Sequence, residues 1–217
     1  MSVARLASDL GGTQTGVPVP WEERPLADWE RLLDGLRVGL LAKGMWRHDE
    51  IRRATEDLGP ECYVQLGYFE RRLRATEAVL VERGLLDPAE VGRPRDELPA
   101  LSVAGRPARN PPAPVAVAPV APAAFAPGAR VQVRDLARTG HVRTPMYVRG
   151  KRGRVTGVHG PYPDPERLAY GKTGAPAVWL YGVAFAQREV WQGYEGGADD
   201  RLVVDVYEPW LAAEEDR

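Results

Sequence analysis

Between Pro94 and Ala124 the chain is built almost entirely from proline, alanine, valine and arginine. The centre of this stretch reads Asn110-Pro111-Pro112-Ala113-Pro114-Val115 and continues to Pro119 and Pro122. Each proline lacks the N–H that a helix or a strand ladder needs, so neither element can run through it. The expected result is an extended, semi-stiff linker. It divides the sequence into residues 1–93, a linker over 94–124, and residues 125–217.

The first part reads as helical. After the Gly-rich lead Asp9-Leu10-Gly11-Gly12 come Pro18, Pro20 and Pro25. Apolar residues then recur at Trp29, Leu32, Leu33, Leu36 and Leu40, the stripe of an amphipathic helix, and Gly44 can end it. A shorter helix is expected from Asp49 to Leu58, with Asp49 as N-cap and Gly59-Pro60 as stop. A third is expected from about Tyr63 to Arg83, with Leu66, Phe69, Leu73, Thr76 and Leu80 on one face. The last part reads as strands. Arg130–Arg134 alternates strictly, and 153–158, 178–185 and 202–207 are short apolar runs punctuated by glycine. Four short strands in fewer than a hundred residues suggest a small barrel or roll. The fold class is therefore α+β, an all-helical N-terminal domain followed by a β domain.

Composition excludes several functions. No apolar run is long enough to span a membrane, and the residues before Val17 have no signal-peptide core, so a cytoplasmic protein is expected. A single cysteine, Cys62, cannot make an internal disulfide, and it reads as a packing residue. The three histidines, His48, His141 and His159, are far apart, so no metal site is expected from this chain alone. The sequence has no nucleotide-binding loop, GxSxG elbow or HExxH. The net charge is -1, yet positive charge gathers between Arg130 and Arg154, where eight Lys and Arg face only Asp135. Such a patch either is a solvated surface or meets an anionic partner.

The core of that segment is Gly140-His141-Val142-Arg143-Thr144-Pro145-Met146-Tyr147-Val148-Arg149-Gly150-Lys151-Arg152-Gly153. It resembles the GHTR-x-P-x-Y-x-R-x-K-x-G signature of nitrile hydratase β subunits. The resemblance continues through Val158-His159-Gly160, Leu180–Phe185 and Arg188–Trp191 to Val204–Leu211, which is similar to the family's VDLWExYL ending. In the first half, Asp9–Gly12, Val17–Pro20, Trp29-Glu30, Tyr68-Phe69 and Val79–Leu86 resemble family elements in order. The resemblance implies a helical N-terminal part, a linker and an SH3-like β-barrel.

It also implies a partner. In the family the α subunit carries a C-x-x-C-S-C loop that binds Co(III) or Fe(III), two of its cysteines being oxidised to sulfenic and sulfinic acids. This chain has no such loop, so the metal belongs to the partner, in an αβ heterodimer or (αβ)2. Two β-subunit arginines hold the oxidised cysteines through charge-assisted hydrogen bonds. Here they match Arg52 and Arg143, and the metal polarises a nitrile that becomes an amide, a lyase reaction. His48, Ile51, Tyr68, Phe69 and Arg72 match positions that line the substrate pocket. Three positions depart from the pattern: Val142 replaces the HTR threonine, Phe69 the second tyrosine of the YYxxW element, and Arg72 its tryptophan. A cation at Arg72 favours an anionic substrate, as in the related thiocyanate hydrolases. Two readings of other classes remain: a KOW-type SH3-like nucleic-acid binder, suggested by the basic strands, and a metal-delivery chaperone resembling the helical half.

Overall fold

The computed structural model describes residues 8, 9, 11, 18, 21, 24–93, 121–136 and 140–214. The linker expected at 94–124 therefore lies outside the described residues, except for the irregular segment 121–124. The described residues form two compact units, one helical and one built on a sheet.

Among the described residues the helical unit contains α1 (Asp28–Ala42), α2 (His48–Glu56), α3 (Gly59–Gln65), α4 (Tyr68–Glu82) and a 3-10 turn, Pro88–Glu90. One local device starts three of these helices. A glutamate at the third helical position accepts the N–H of the residue that precedes the helix: Ala27 to Glu30 at 2.8 Å, Arg47 to Glu50 at 2.8 Å, and Gly67 to Glu70 at 2.6 Å. It satisfies one of the donors that every helix start leaves open. The device puts the α2 boundary at Arg47 rather than Asp49. Gly59-Pro60, expected as a stop, begins α3 instead, because proline is tolerated in a first helical turn. The long third helix expected from Tyr63 is accordingly broken at Leu66-Gly67.

The core of this unit is small: Trp46, Ile51, Ala54, Ala75 and Val79, with Leu40 and Leu41 against them. Charged groups complete it. Arg53 is buried and fills its fork, donating to Ala169 O at 2.8 Å, Asp57 at 2.6 Å and Glu82 at 2.5 Å. Buried Glu50 accepts two hydrogen bonds from Arg83, at 2.9 and 2.7 Å. The stripe read on α1 is a helical stripe, but most of it faces outward. Trp29, Leu32 and Leu36 are exposed, whereas Glu30, Leu33 and Arg37 are buried.

The sheet unit contains β1 (Arg130–Val133), β2 (Arg152–Tyr162), β3 (Val178–Ala186), β4 (Arg201–Tyr207) and β5 (Leu211–Ala213). Two four-residue helical turns, α5 (Pro165–Leu168) and α6 (Gln187–Val190), flank β3. All neighbours are antiparallel in the order β4-β3-β2-β1-β5. The two edge strands, β4 and β5, do not pair with each other, so the sheet is not closed. Two register shifts between β2 and β3, at Val155/Gly157 and Val158/Gly160, bend the sheet as bulges do. Gly153 is required where β2 turns inward: a Cβ there would lie 2.7 Å from Val183 Cγ1 and 2.9 Å from the Ala184 carbonyl oxygen. The alternation of Val131 and Val133 feeds a core that also holds Tyr181, Phe185, Trp210 and Leu211. The short β5, which follows the 3-10 turn Glu208–Trp210, was not expected, because Leu211-Ala212-Ala213 carries no alternation.

Candidate functional site

In the helical unit the candidate residues occupy α2 and the start of α4. His48 opens α2 and is exposed. Arg52 is also exposed, with one ion pair to Asp49 at 3.2 Å on its own helix. Ile51 stands between them in sequence but points the other way, into the core with Trp46 and Val79, at 5% exposure. Tyr68 and Phe69 meet edge to face with ring centroids 5.2 Å apart, and Phe69 meets Trp29 of α1 at 6.3 Å. Arg72 follows one turn later on α4, its guanidinium 4.6 Å from the Tyr68 ring centre. The structure thus brings Tyr68, Phe69 and Arg72 into one cluster.

A further arginine belongs near this cluster. Arg37 of α1 is 7% exposed and lies over the Trp46 ring at 5.6 Å. Burial lowers the pKa of both Arg37 and Arg72, and at Arg72 the charge of Arg37 adds to the effect. Sequence reading passed over Arg37. The signal was its register: four residues after Leu33 and four before Leu41, it occupies an inward position of α1.

In the sheet unit, Arg143 lies on the loop between β1 and β2. Its neighbours on either side are held inward, His141 at 3% exposure and Thr144 at 2%, while Arg143 itself is exposed. Arg149 fixes the loop, donating from Nε and Nη2 to the Thr144 carbonyl at 3.2 and 2.9 Å and stacking over Trp210 at 5.0 Å. The opening of the chain adds a second brace. Asp9 accepts the Met146 N–H at 2.8 Å, and Gly11 lies so close to the Tyr147 ring that a Cβ would collide with it. Tyr147 in turn meets the Trp191 ring at 5.1 Å. Asp9 and Gly11 thus belong with the His141–Tyr147 segment, far from them in sequence, in one loop structure.

The positive segment around this loop is largely engaged inside the unit. Arg130 makes a bidentate pair with Glu214 at 2.9 and 2.8 Å. Arg152 sits between Glu189 and Glu214, Arg154 donates to the Gly128 carbonyl, and Arg134 to that of Leu211. Arg138 lies outside the described residues. Cys62, expected to pack, is exposed, because α3 buries none of its side chains. Among the described residues no three His, Cys, Asp or Glu side chains gather to hold a metal ion, so the described part of the chain does not fit that group. No described helix is long and apolar enough to cross a membrane.

Comparison with known proteins accounts for both halves. Residues 5–121 match the family profile of the nitrile hydratase beta subunit, N-terminal, and residues 114–213 that of the nitrile hydratase beta subunit, C-terminal. The nitrile hydratase subunit beta of Pseudomonas chlororaphis is 34% identical over 94% of this chain and 93% of its own length. The low-molecular weight cobalt-containing nitrile hydratase subunit beta of Rhodococcus rhodochrous is 30% identical over 94% of this chain and 96% of its own. A solved chain of apo thiocyanate hydrolase from Thiobacillus thioparus aligns at 30% identity and a TM-score of 0.40, covering 42% of this chain and 76% of that one. With both profiles matched in order from residue 5 to residue 213, the chain belongs to the nitrile hydratase β-subunit family.

Proposed function

We propose that this chain is the β subunit of an enzyme that adds water across a nitrile to give an amide. The observation that carries the reading is the ordered match of both halves to the β-subunit family. The partner is an α subunit whose C-x-x-C-S-C loop holds Co(III) or Fe(III), and two relatives are named cobalt-containing. The assembly is an αβ heterodimer or a pair of them, in the cytoplasm. The domains are those of the sequence reading, 1–93 and 125–217 joined by 94–124. The open sheet, with a 3-10 turn leading into its last short strand, fits an SH3-like barrel.

The chain's own part is positional. Arg52 and Arg143 donate charge-assisted hydrogen bonds to the oxygens of the partner's oxidised cysteines and hold them in one geometry. The Asp49 pair does not prevent this at Arg52, because an exposed ion pair within one helix is worth only about 0.3–0.5 kcal/mol. At Arg143 the buried neighbours and the Arg149 brace fix the backbone from which the guanidinium extends. His48, Tyr68, Phe69 and Arg72 line the approach of the substrate, with Ile51 supporting α2 from below. Nucleic acid is disfavoured as a partner, since most of the described basic side chains between Arg130 and Arg154 already have carboxylate or carbonyl acceptors.

The test is co-expression with the α subunit and a turnover assay offering a neutral nitrile and thiocyanate side by side. Amide formation is expected. Arg143→Ala and Arg52→Ala should each leave the complex assembled and lower turnover by about ten- to a hundredfold, the usual effect of losing a hydrogen bond to a metal's ligand. Full activity in both variants sinks the positional role.

A further inference from the structure

The least satisfied polar groups of the helical unit are two guanidiniums. Among the described residues, Arg37 Nε and Arg72 Nε are buried and make no hydrogen bond. A buried donor left unpaired costs about 1–3 kcal/mol, more when it is charged. Arg37 is 93% removed from solvent by its 7% exposure, and its one carboxylate contact is a long one, 3.5 Å to the half-exposed Asp34. Arg72 has the Tyr68 ring face on one side, which attracts the cation without accepting a directed hydrogen bond. Each arginine is thus walled by an aromatic ring, Trp46 for Arg37 and Tyr68 for Arg72. Their helices, α1 and α4, pack against each other, and at Arg72 the charge of Arg37 lowers the pKa while that of Asp34 raises it. Two cations against one carboxylate leave an excess of one positive charge in a partly dehydrated place, where a charge pair is stronger than in water.

Elsewhere in this unit a buried arginine is fully met. Arg53, equally buried, has a carbonyl and two carboxylates within 2.8 Å. The same fold therefore satisfies an arginine completely when the arginine is structural, and leaves Arg37 and Arg72 short of an acceptor.

We propose that Arg37 and Arg72 form an anion cradle that selects a small monoanion carrying a C≡N bond, its charged end held between the two guanidiniums. Resting on the nitrile-hydrating reading above, the inference names the substrate class of that same site. The carboxylate end of a cyanocarboxylate is unchanged in the reaction: water adds across the C≡N bond alone, and the product is an amide that keeps its carboxylate. Thiocyanate offers the same charge and the same triple bond, so the two sources are separated by experiment. Arg37 and Arg72 are positioning and specificity residues in this account.

The test uses the assembled, metal-loaded complex. Cyanoacetate, thiocyanate and isovaleronitrile, in which an isopropyl group replaces the carboxylate, are compared in the native complex and in Arg72→Met, Arg72→Lys and Arg37→Met. The cradle predicts a kcat/KM for one of the two anions about ten- to a hundredfold above that for isovaleronitrile, the worth of one or two hydrogen bonds to a charged group. In Arg72→Met the preference collapses through KM for the anion, and Arg72→Lys restores part of it. Preference for cyanoacetate identifies a cyanocarboxylate, and preference for thiocyanate identifies the inorganic anion; either supports the cradle. Equal or better turnover of isovaleronitrile in the native complex, or an unchanged ratio in Arg72→Met, overturns it. Calorimetric titration with malonamate and isovaleramide, the two amide products, reads binding without turnover. Tighter binding of malonamate that is lost in Arg72→Met supports the cradle even if no nitrile is hydrated, in which case the nitrile-hydrating reading falls alone. Equal binding of both amides, with no preference for thiocyanate in turnover, overturns the cradle even in an active enzyme.

Discussion

The two units solve the problem of burial differently. In the sheet unit the buried residues are large and apolar, Trp210, Tyr181, Phe185 and Leu211 among them, and no Arg, Lys, Asp or Glu among its described residues is buried. Its arginines stay near the surface and are held by carbonyls and carboxylates of their own unit. The helical unit does the reverse. It buries Glu30, Arg37, Glu50 and Arg53 while leaving Trp29, Leu32, Leu36, Val38 and Val64 exposed. A unit that hides charge and shows apolar surface has a face suited to a partner, and it shows more such residues than the sheet unit, where Tyr162 and Val203 are exposed. This division matches a subunit whose sheet presents one braced arginine loop and whose helices offer a surface to a partner.

Substitutions can break the comparison where its effects are largest. Trp210→Ala removes the largest fully buried side chain of the sheet unit and the ring under Arg149, and should cost about 3–5 kcal/mol in denaturant unfolding. A cost below about 1 kcal/mol means the sheet core is looser than its burial implies. Glu50→Ala leaves Arg83 and the Arg47 N–H without their acceptor, and should cost about 2–3 kcal/mol in the same measurement.

Acid and alkali separate the units further. Hydrogen bonds from Arg24 hold the Glu30 carboxyl at about 2, below its ordinary 4.5. A depressed carboxylate contributes its stability fully above the unfolded value and loses it as pH falls through the folded one. Helical circular dichroism should therefore weaken between about pH 4.5 and 2, and Glu30→Gln should flatten that interval. Burial, with Glu208 as hydrogen-bond acceptor, pushes the Tyr181 hydroxyl up to about 12 from 10.0. Its protonated form stabilises the sheet unit below pH 10 and is lost as pH rises towards 12, a transition Tyr181→Phe should abolish. The smallest effect on stability belongs to the exposed face of α1. Leu32→Ser with Leu36→Ser should change unfolding by no more than about 0.5 kcal/mol per site, yet weaken assembly with the α subunit in analytical ultracentrifugation. Unchanged assembly would mean the partner docks elsewhere.

Much of this was legible in the residues. Strict alternation at Arg130–Val133 and glycine punctuation located four of the five strands, because a half-buried strand alternates and glycine marks the turns between strands. The fifth, Leu211–Ala213, is defined by backbone pairing to β1 and leaves no mark in side-chain pattern. Periodicity established α1 but not its inward face, since most of the apolar stripe is left outside and only Leu33 and Leu40 of it turn to the unit's interior. The α2 boundary was missed because the capping group is the glutamate three residues inside the helix, not a polar residue at its edge. At the candidate site, motif order led to Arg52, Arg143, Tyr68, Phe69 and Arg72, but a motif cannot show which side chains lack an acceptor. Arg37 carried no motif and emerged only from packing.

The hydrogen bond from the Met146 amide to Asp9 spans 137 residues of sequence and has a consequence for how the protein is made. Asp9 leaves the ribosome ahead of residues 24–93, which carry the helices α1 to α4. The acceptor must wait for its amide through the synthesis of α1 to α4 and the proline-rich stretch. The loop that presents Arg143 therefore takes its final form only after α1 to α4 have been made. Trimming the chain before Gly11 should appear as faster hydrogen exchange at the Met146 amide, in a region far along the sequence from the cut.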